Sequence, residues 1–166
     1  MIRSNVNPLT FPDLFIAGRA KLTLRNNEKE THITIQVKQA RNKKNRKEKL
    51  PVFFVNVSLL GDAEAGYVFG GTYFAETKTM GLARGLKKDS QLAKVMGFIF
   101  AAIKDPKIFR EKNVSLLHEG RCCRCGLPLT NPNSIQHALG DDCFVYVNGS
   151  EEEKKKLALK LEKRNK

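Results

Sequence analysis

Tryptophan is absent from this 166-residue chain, histidine and tyrosine occur three times each, and acidic residues are scarce. Seventeen Asp and Glu stand against thirty Lys and Arg, a formal charge of +13. An excess of that size draws the chain to polyanions, either nucleic acid or an acidic protein surface, and charge alone does not choose between them. No stretch approaches the roughly 18 apolar residues of a membrane span, and the start, Met1-Ile2-Arg3-Ser4-Asn5-Val6-Asn7-Pro8, lacks the apolar core of a signal peptide. The expectation is a folded cytoplasmic protein with no membrane partner. Cysteine is confined as well: all four lie between residues 122 and 143. In a reducing compartment such a cluster points to metal ligands rather than disulfides. With 41% apolar residues, the length suits one domain, or one domain carrying a small appended module.

The first half reads as strands. Lys21-Leu22-Thr23-Leu24-Arg25 alternates with period two, Asn26-Asn27-Glu28-Lys29 is a polar turn, and Thr31 to Val37 alternates again with Ile33, Ile35 and Val37 on one face, which predicts a hairpin. Val52 to Leu60 is apolar on both faces, as a central, covered strand would be. Gly61-Asp62-Ala63-Glu64-Ala65-Gly66 supplies a turn, and a fourth strand over Tyr67 to Phe74 is interrupted by Gly70-Gly71, where a bulge is expected. The sum is an antiparallel meander of about four strands.

After Met80 the period becomes helical. Ser90 caps a helix reaching Lys104, with Leu92, Val95, Met96, Ile99 and Ile103 on one stripe and Pro106 beyond it. This helix should cover the sheet. A last helix opens with the capping box Ser150-Glu151-Glu152-Glu153, with Glu151–Lys155 and Glu152–Lys156 as i,i+4 pairs. The fold class is α+β: a β-rich domain over 1–112, a zinc-knuckle (treble-clef-like) module over 113–148 and a charged C-terminal helix and tail over 149–166.

The module reads His118-Glu119-Gly120-Arg121-Cys122-Cys123-Arg124-Cys125-Gly126, with Cys143 further on. A C-x-x-C pair places two thiolates on one turn, and Gly126 lets the backbone turn back toward them. Cys122, Cys125 and Cys143 are three ligands for one structural Zn²⁺; His118 is the preferred fourth, with His137 competing. Cys123 is surplus, an incidental thiol or a buried filler. Four protein ligands would leave no open position for water, which argues against hydrolytic chemistry. With little apolar material there, much of the module's folding free energy would come from the metal. Asp141 and Asp142 invite a catalytic reading, although carboxylates there more often cap a helix or orient a ligand.

Arg41, Lys43, Lys44, Arg46, Lys47 and Lys49 put six cations and one anion, Glu48, into a loop between two strands. They form either a phosphate-contacting surface or a solvated loop. Arg121 and Arg124 project from the knuckle, toward phosphate or toward Asp141 and Asp142. Phe53, Phe54, Tyr67, Phe69, Tyr73 and Phe74 are core or base-stacking residues. Lys78, Arg84, Lys87 and Lys88 with Gly81 and Gly85 do not meet the P-loop spacing, so nucleotide binding through them is not expected. No small-molecule substrate is expected either.

The pattern His-x-Gly-x-Cys-x-x-Cys-Gly, then Leu129-Thr130-x-Pro132-x-Ser134-Ile135, then a glycine-containing turn before Cys143, resembles a family of small zinc-binding domains of unknown function carried by many bacteriophage proteins. The resemblance covers His118 to Cys143, with a looser likeness upstream. Members usually have Gly-x-Gly-Pro-x-Cys at the turn; here it reads Ala138-Leu139-Gly140-Asp141-Asp142-Cys143. The resemblance implies a phage-derived zinc-binding accessory protein of the host-cell cytosol, with no settled activity. No Ser/His/Asp set and no activated cysteine outside the cluster is found, so an enzyme is not expected. Two expectations remain. One is a factor binding DNA or RNA mainly through phosphates; the other is an effector docking on an acidic host protein of transcription or antiviral defence.

Overall fold

The computed structural model describes residues 3–60 and 66–165. The turn expected at Gly61 to Gly66 falls outside the described residues except for Gly66. In chain order the elements are β1 (Ser4–Asn5), a 3₁₀ turn (Pro8–Thr10), α1 (Phe11–Phe15), β2 (Lys21–Asn26), β3 (Thr31–Arg41), β4 (Lys49–Ser58), β5 (Val68–Phe74), β6 (Thr79–Leu82), α2 (Gln91–Lys104), α3 (Ile108–Glu111), β7 (Val114–His118), α4 (Pro132–His137), α5 (Asp141–Asn148) and α6 (Glu151–Arg164). The strands form one antiparallel sheet in the order β1-β7-β2-β3-β4-β5-β6.

Seven strands therefore stand where the pattern predicts about four. The expected meander is its middle, β2 to β5. The additions are short and of weak alternation: β6 contains Gly81, β1 has two residues, and β7 runs straight into the His118 motif. β7 returns after the helices and pairs with β2, Leu24 opposite Leu116 and Leu22 opposite His118. The strand that leads into the knuckle is thus part of the sheet.

One sheet face is core. Leu22, Ile35, Val37, Val55 and Val57 are fully buried there and share that face by their register. Against it lies α2, whose Ser90 hydroxyl accepts from the Ala93 N–H at 3.2 Å and whose Met96, Ile99 and Ala102 are fully buried. The expected stripe holds, with Ile103 only half-buried. Phe11, Phe98 and Phe109 close the end of this layer edge to face, with centroids 5.1 and 5.4 Å apart; each such pair contributes about 0.5–1.5 kcal/mol beyond its burial.

The other face is covered unevenly. Thr23, Thr34 and Ser58 are buried on it, and the Tyr67 hydroxyl lies beside the Lys21–Glu119 ion pair, which closes at 2.8 Å. Toward β4 and β5 it is open, with Phe54 42% and Phe69 44% exposed. Val52 to Leu60 is central, as expected, but covered on both sides only in part. The expected bulge is present: Val55 pairs with Gly71 and Asn56 with Phe69, which leaves Gly70 as the extra residue. Both glycines are required by close approach. A β-carbon on Gly70 would meet the Met96 sulfur, and one on Gly71 would collide with the Gly81 carbonyl.

The capping box of α6 forms as expected, with Ser150 N–H donating to Glu153 at 2.7 Å and Glu153 N–H to the Ser150 hydroxyl at 3.2 Å. Glu152–Lys156 pairs at i,i+4, but Glu151 takes Lys154 rather than Lys155.

Two glycine substitutions separate packing from chain entropy. Gly71→Ala should lower stability by about 1–3 kcal/mol, because the obstruction is backbone. Gly97→Ala, at an open position inside α2, should raise it by about 0.5–1 kcal/mol. Urea midpoints of the two variants against the parent read both.

Candidate metal centre

The knuckle is a tight hairpin. Cys122 N–H donates to the Leu127 carbonyl and Gly126 N–H to the Cys122 carbonyl, both at 2.9 Å, and Leu129 N–H reaches the Gly120 carbonyl at 2.7 Å. Gly126 sits at φ +79°, in the left-handed region that its place after the second cysteine predicts. From there the chain enters α4, capped by Asn131, whose carboxamide accepts from Ser134 N–H at 2.8 Å, with Pro132 at its first position. α4 ends at Ala138, itself left-handed at φ +56°. The motif's usual first glycine has a physical reason at this position: alanine bears a steric cost there that glycine does not. Gly140 then opens α5, and Cys143 stands in its first turn. The turn before Cys143 is legible in the sequence, whereas this helix is not among the expected elements; Asp141 and Asp142 after a glycine are its signal.

These elements bring Cys122, Cys125 and Cys143 together, their sulfurs all within 4.8 Å of one another. Tetrahedral zinc at about 2.3 Å from each sulfur would set those sulfurs about 3.8 Å apart, so small side-chain adjustments suffice to hold an ion. The donor chemistry fits as well. Burial alone would push the Cys122 thiol up, but backbone N–H groups of Cys125, Gly140 and Arg124 aimed at its sulfur hold it below its ordinary value. The Cys143 thiol is pushed up to about 12, first by burial and then by the neighbouring sulfurs, against an opposing hydrogen bond from Arg124. Gathered thiolates repel one another, and a bound cation removes that repulsion. The three cysteines are placed to hold a metal ion.

His118 is not brought to them. Its side chain is fully buried on the core face of β7, where Nε2–H donates to the Ile135 carbonyl at 2.6 Å and Nδ1 accepts from Gly120 N–H at 3.1 Å. Both ring nitrogens are used, and burial holds the imidazole below its ordinary pKa and therefore neutral. The physical reason is register: His118 pairs with Leu22 and with Ser4, so it faces the core and clamps the sheet to α4. His137 is exposed on α4 with its ring 4.7 Å from that of Phe144, also outside the group. Among the described residues no fourth side chain joins the three sulfurs, so the expected closure by four protein ligands has three here. Cys123 fills the core, 1% exposed, with its thiol raised to about 12 by burial.

The neighbouring charges do not form the pairing with Asp141 and Asp142 that the sequence offers as one alternative. Arg124 donates to the Cys143 sulfur at 3.7 Å and lies over the Tyr146 ring at 4.0 Å. Arg121 donates to the Gly126 carbonyl at 3.1 Å. Neither pairs with Asp141 or Asp142. Asp141 instead accepts from the Ser134 hydroxyl at 2.9 Å and joins α4 to α5.

The basic hairpin end, distant in sequence, arrives beside this cluster. Lys49 is held below its usual pKa by burial and then by the Arg124 and Arg41 charges, with Cys143 opposing. Arg19 N–H donates to the Cys123 carbonyl at 2.8 Å, and its side chain packs on Gly126. Arg19, Lys38, Arg41 and Lys49 line a cleft of about 250 Å³ with Gly18 and Gln39. None of the four has a carboxylate within ion-pair distance among the described residues. The composition of the 41–49 stretch signals a basic surface; Arg19 and Lys38, isolated in the sequence, carry no such signal.

The loop itself is built by asparagine. Asn42 and Asn45 carboxamides accept from the N–H groups of Lys44 and Lys47 at 2.9 and 3.2 Å, and Arg41 donates to the Arg46 carbonyl. Glu48, the one anion of the stretch, is taken by the Asn42 amide at 2.6 Å.

Residues 117–146 match the model of a family of unknown function, DUF6011. No curated protein and no solved structure matches the chain. No helix among the described residues is long and apolar enough to cross a membrane.

Serine in place of Cys122, Cys125 or Cys143 should each bring bound metal below one ion per chain, with Cys123→Ala at the parent level. His118→Ala should keep the metal while lowering stability by about 2–4 kcal/mol, since it leaves a cavity and takes the acceptor from the Gly120 N–H, while the Ile135 carbonyl keeps the Ala138 N–H. Elemental analysis alongside thermal melts reads both quantities; metal loss in His118→Ala would return the imidazole to the ligand set.

Proposed function

We propose that the chain is a zinc-stabilised nucleic-acid-binding protein, an accessory or regulatory factor of the bacteriophage kind its motif resembles. It holds DNA or RNA mainly through phosphates and performs no reaction of its own. The observation that carries the reading is the convergence of two separate basic segments. The hairpin end brings Arg41 and Lys49 into one cleft with Arg19 and Lys38, and the knuckle brings Arg124 near enough that, after burial, its charge and that of Arg41 depress Lys49. Uncompensated cations held that closely gain most from a ligand with closely spaced negative charges, and a phosphodiester backbone is such a ligand. The exposed cations Lys43, Lys44, Arg46 and Lys47 extend the surface along the loop, and Arg121 extends it along the knuckle.

Zinc is the metal of this reading, because three thiolates with a soft, redox-inert, tetrahedral ion is its usual chemistry. Cys122, Cys125 and Cys143 would hold it. The ion's contribution is structural: it fixes the knuckle to α5 and so keeps Arg124 against the hairpin. The groups bordering the sulfurs are the Arg124 guanidinium and the Gly140 N–H, 3.4 Å from Cys122. These stabilise thiolate charge and offer no general base.

Binding to oligonucleotides of mixed sequence should weaken steeply with salt. Replacing Arg41, Lys43, Lys44, Arg46, Lys47 and Lys49 by glutamine should flatten the dependence by about 0.7–0.9 in log–log slope for each phosphate no longer neutralised. A salt titration by fluorescence anisotropy measures the slope. A pull-down from host lysate with and without nuclease tests the reading independently: a single acidic protein that stays bound after nuclease, with no oligonucleotide affinity at low salt, would replace nucleic acid as the ligand.

A further inference from the structure

The outer face of the sheet carries an uncovered aromatic patch that the phosphate-binding cations leave unused. On β4, Phe54 points away from the core, and on β5 so do Phe69 and Phe74, by their pairing with Asn56 and Val52. They are 42%, 44% and 40% exposed. Large apolar rings on an otherwise polar face are costly to leave in water unless they serve contact. Phe54 and Phe69 meet edge to face, 6.4 Å between centroids at 63°, so neither ring covers the other's plane as a stacked pair would.

The patch is continuous with the cationic cleft. Lys38 is directly opposite Phe54 on the same face, which places the two side chains about 5 Å apart at their β-carbons. Lys38 also lines the cleft with Arg19, Arg41 and Lys49. Rings and unpaired cations therefore form one strip across β5, β4 and the β3–β4 hairpin end.

We infer that this strip takes a single strand of nucleic acid, with bases stacked on Phe54 and Phe69 and phosphates running from Lys38 into the Arg19–Arg41–Lys49 cleft. The choice of single strand over duplex follows from the chemistry of the two halves. Cations alone accept either form. Aromatic side chains add affinity only where base planes are open, and in a duplex those planes are covered by neighbouring base pairs. The inference rests on the nucleic-acid reading above and narrows it to unpaired strands.

The test uses the full, metal-loaded chain against a mixed-sequence single strand and the corresponding duplex, with two double variants. Phe54→Leu with Phe69→Leu keeps apolar bulk and removes the ring planes; Phe54→Tyr with Phe69→Tyr keeps them. The parent should prefer the single strand. The leucine variant should bind the single strand about 25-fold more weakly or worse, at roughly fivefold or more for each base left unstacked. Its duplex affinity and salt slope should be unchanged, and the tyrosine variant should bind like the parent. Equal affinity for both forms with no effect of leucine would overturn the stacking strip while the phosphate reading stands. Absence of binding to either form at low salt would remove both readings. A parent dimer that the leucine variant converts to monomer, with single-strand affinity intact, would assign the patch to a second copy of the chain and overturn the inference.

Discussion

The antiparallel pairing of β7 with β2 is the constraint on which the rest depends. It places His118 opposite Leu22, so the last residue of the sheet and the first of the cysteine motif are the same residue. Everything after it is held from there. The His118 ring ties the strand to the Ile135 carbonyl of α4, Glu119 anchors to Lys21 at 2.8 Å, and the Cys123 carbonyl receives the N–H of Arg19. Gly18 and Ala20 accept from Gln39 and Val37 of β3. The Gly18–Ala20 segment is therefore held between the hairpin and the knuckle, and it sets one against the other.

That geometry leaves two opposite electrostatic imbalances side by side. Burial first, and then the neighbouring sulfurs, raise the Cys143 thiol to about 12, and a cation bound there would offset both. Beside them, burial and then the Arg124 and Arg41 charges lower Lys49, and an anion there would offset those charges. Arg124 stands between the two, donating to the Cys143 sulfur. A metal ion on one side and a polyanion on the other would relieve both, and each ligand would tighten the same clasp.

Much of this is legible in the residues and some is not, for identifiable reasons. The meander, its Gly70-Gly71 bulge, the Ser90 cap and the α6 capping box are all local signals, set by alternation over a few residues or by a side chain reaching its own backbone. The edge strands fail that criterion: β1 and β6 are too short to show a period, and β7 is recognisable only once β2 is beside it. The three cysteines of the candidate metal centre follow from spacing. The fourth ligand does not, because whether an imidazole faces a metal or a core depends on strand register, and register is a relation between β7 and β2. Phe54 illustrates the same limit. An apolar run predicts cover on both faces of β4, and only the packed molecule shows that one face lies open.

The amino-acid sequence by itself determined the class of fold, the position of the thiols that are placed to hold a metal ion and the sign of the surface, because each is written in local pattern or composition. The tertiary structure alone decided that His118 serves the sheet, that Arg19 and Lys38 join the cations of residues 41–49, and that aromatic rings border them. Those are distances between segments far apart in the chain, and hydrophobic burial, which sets them, responds to the whole sheet at once rather than to any stretch of it.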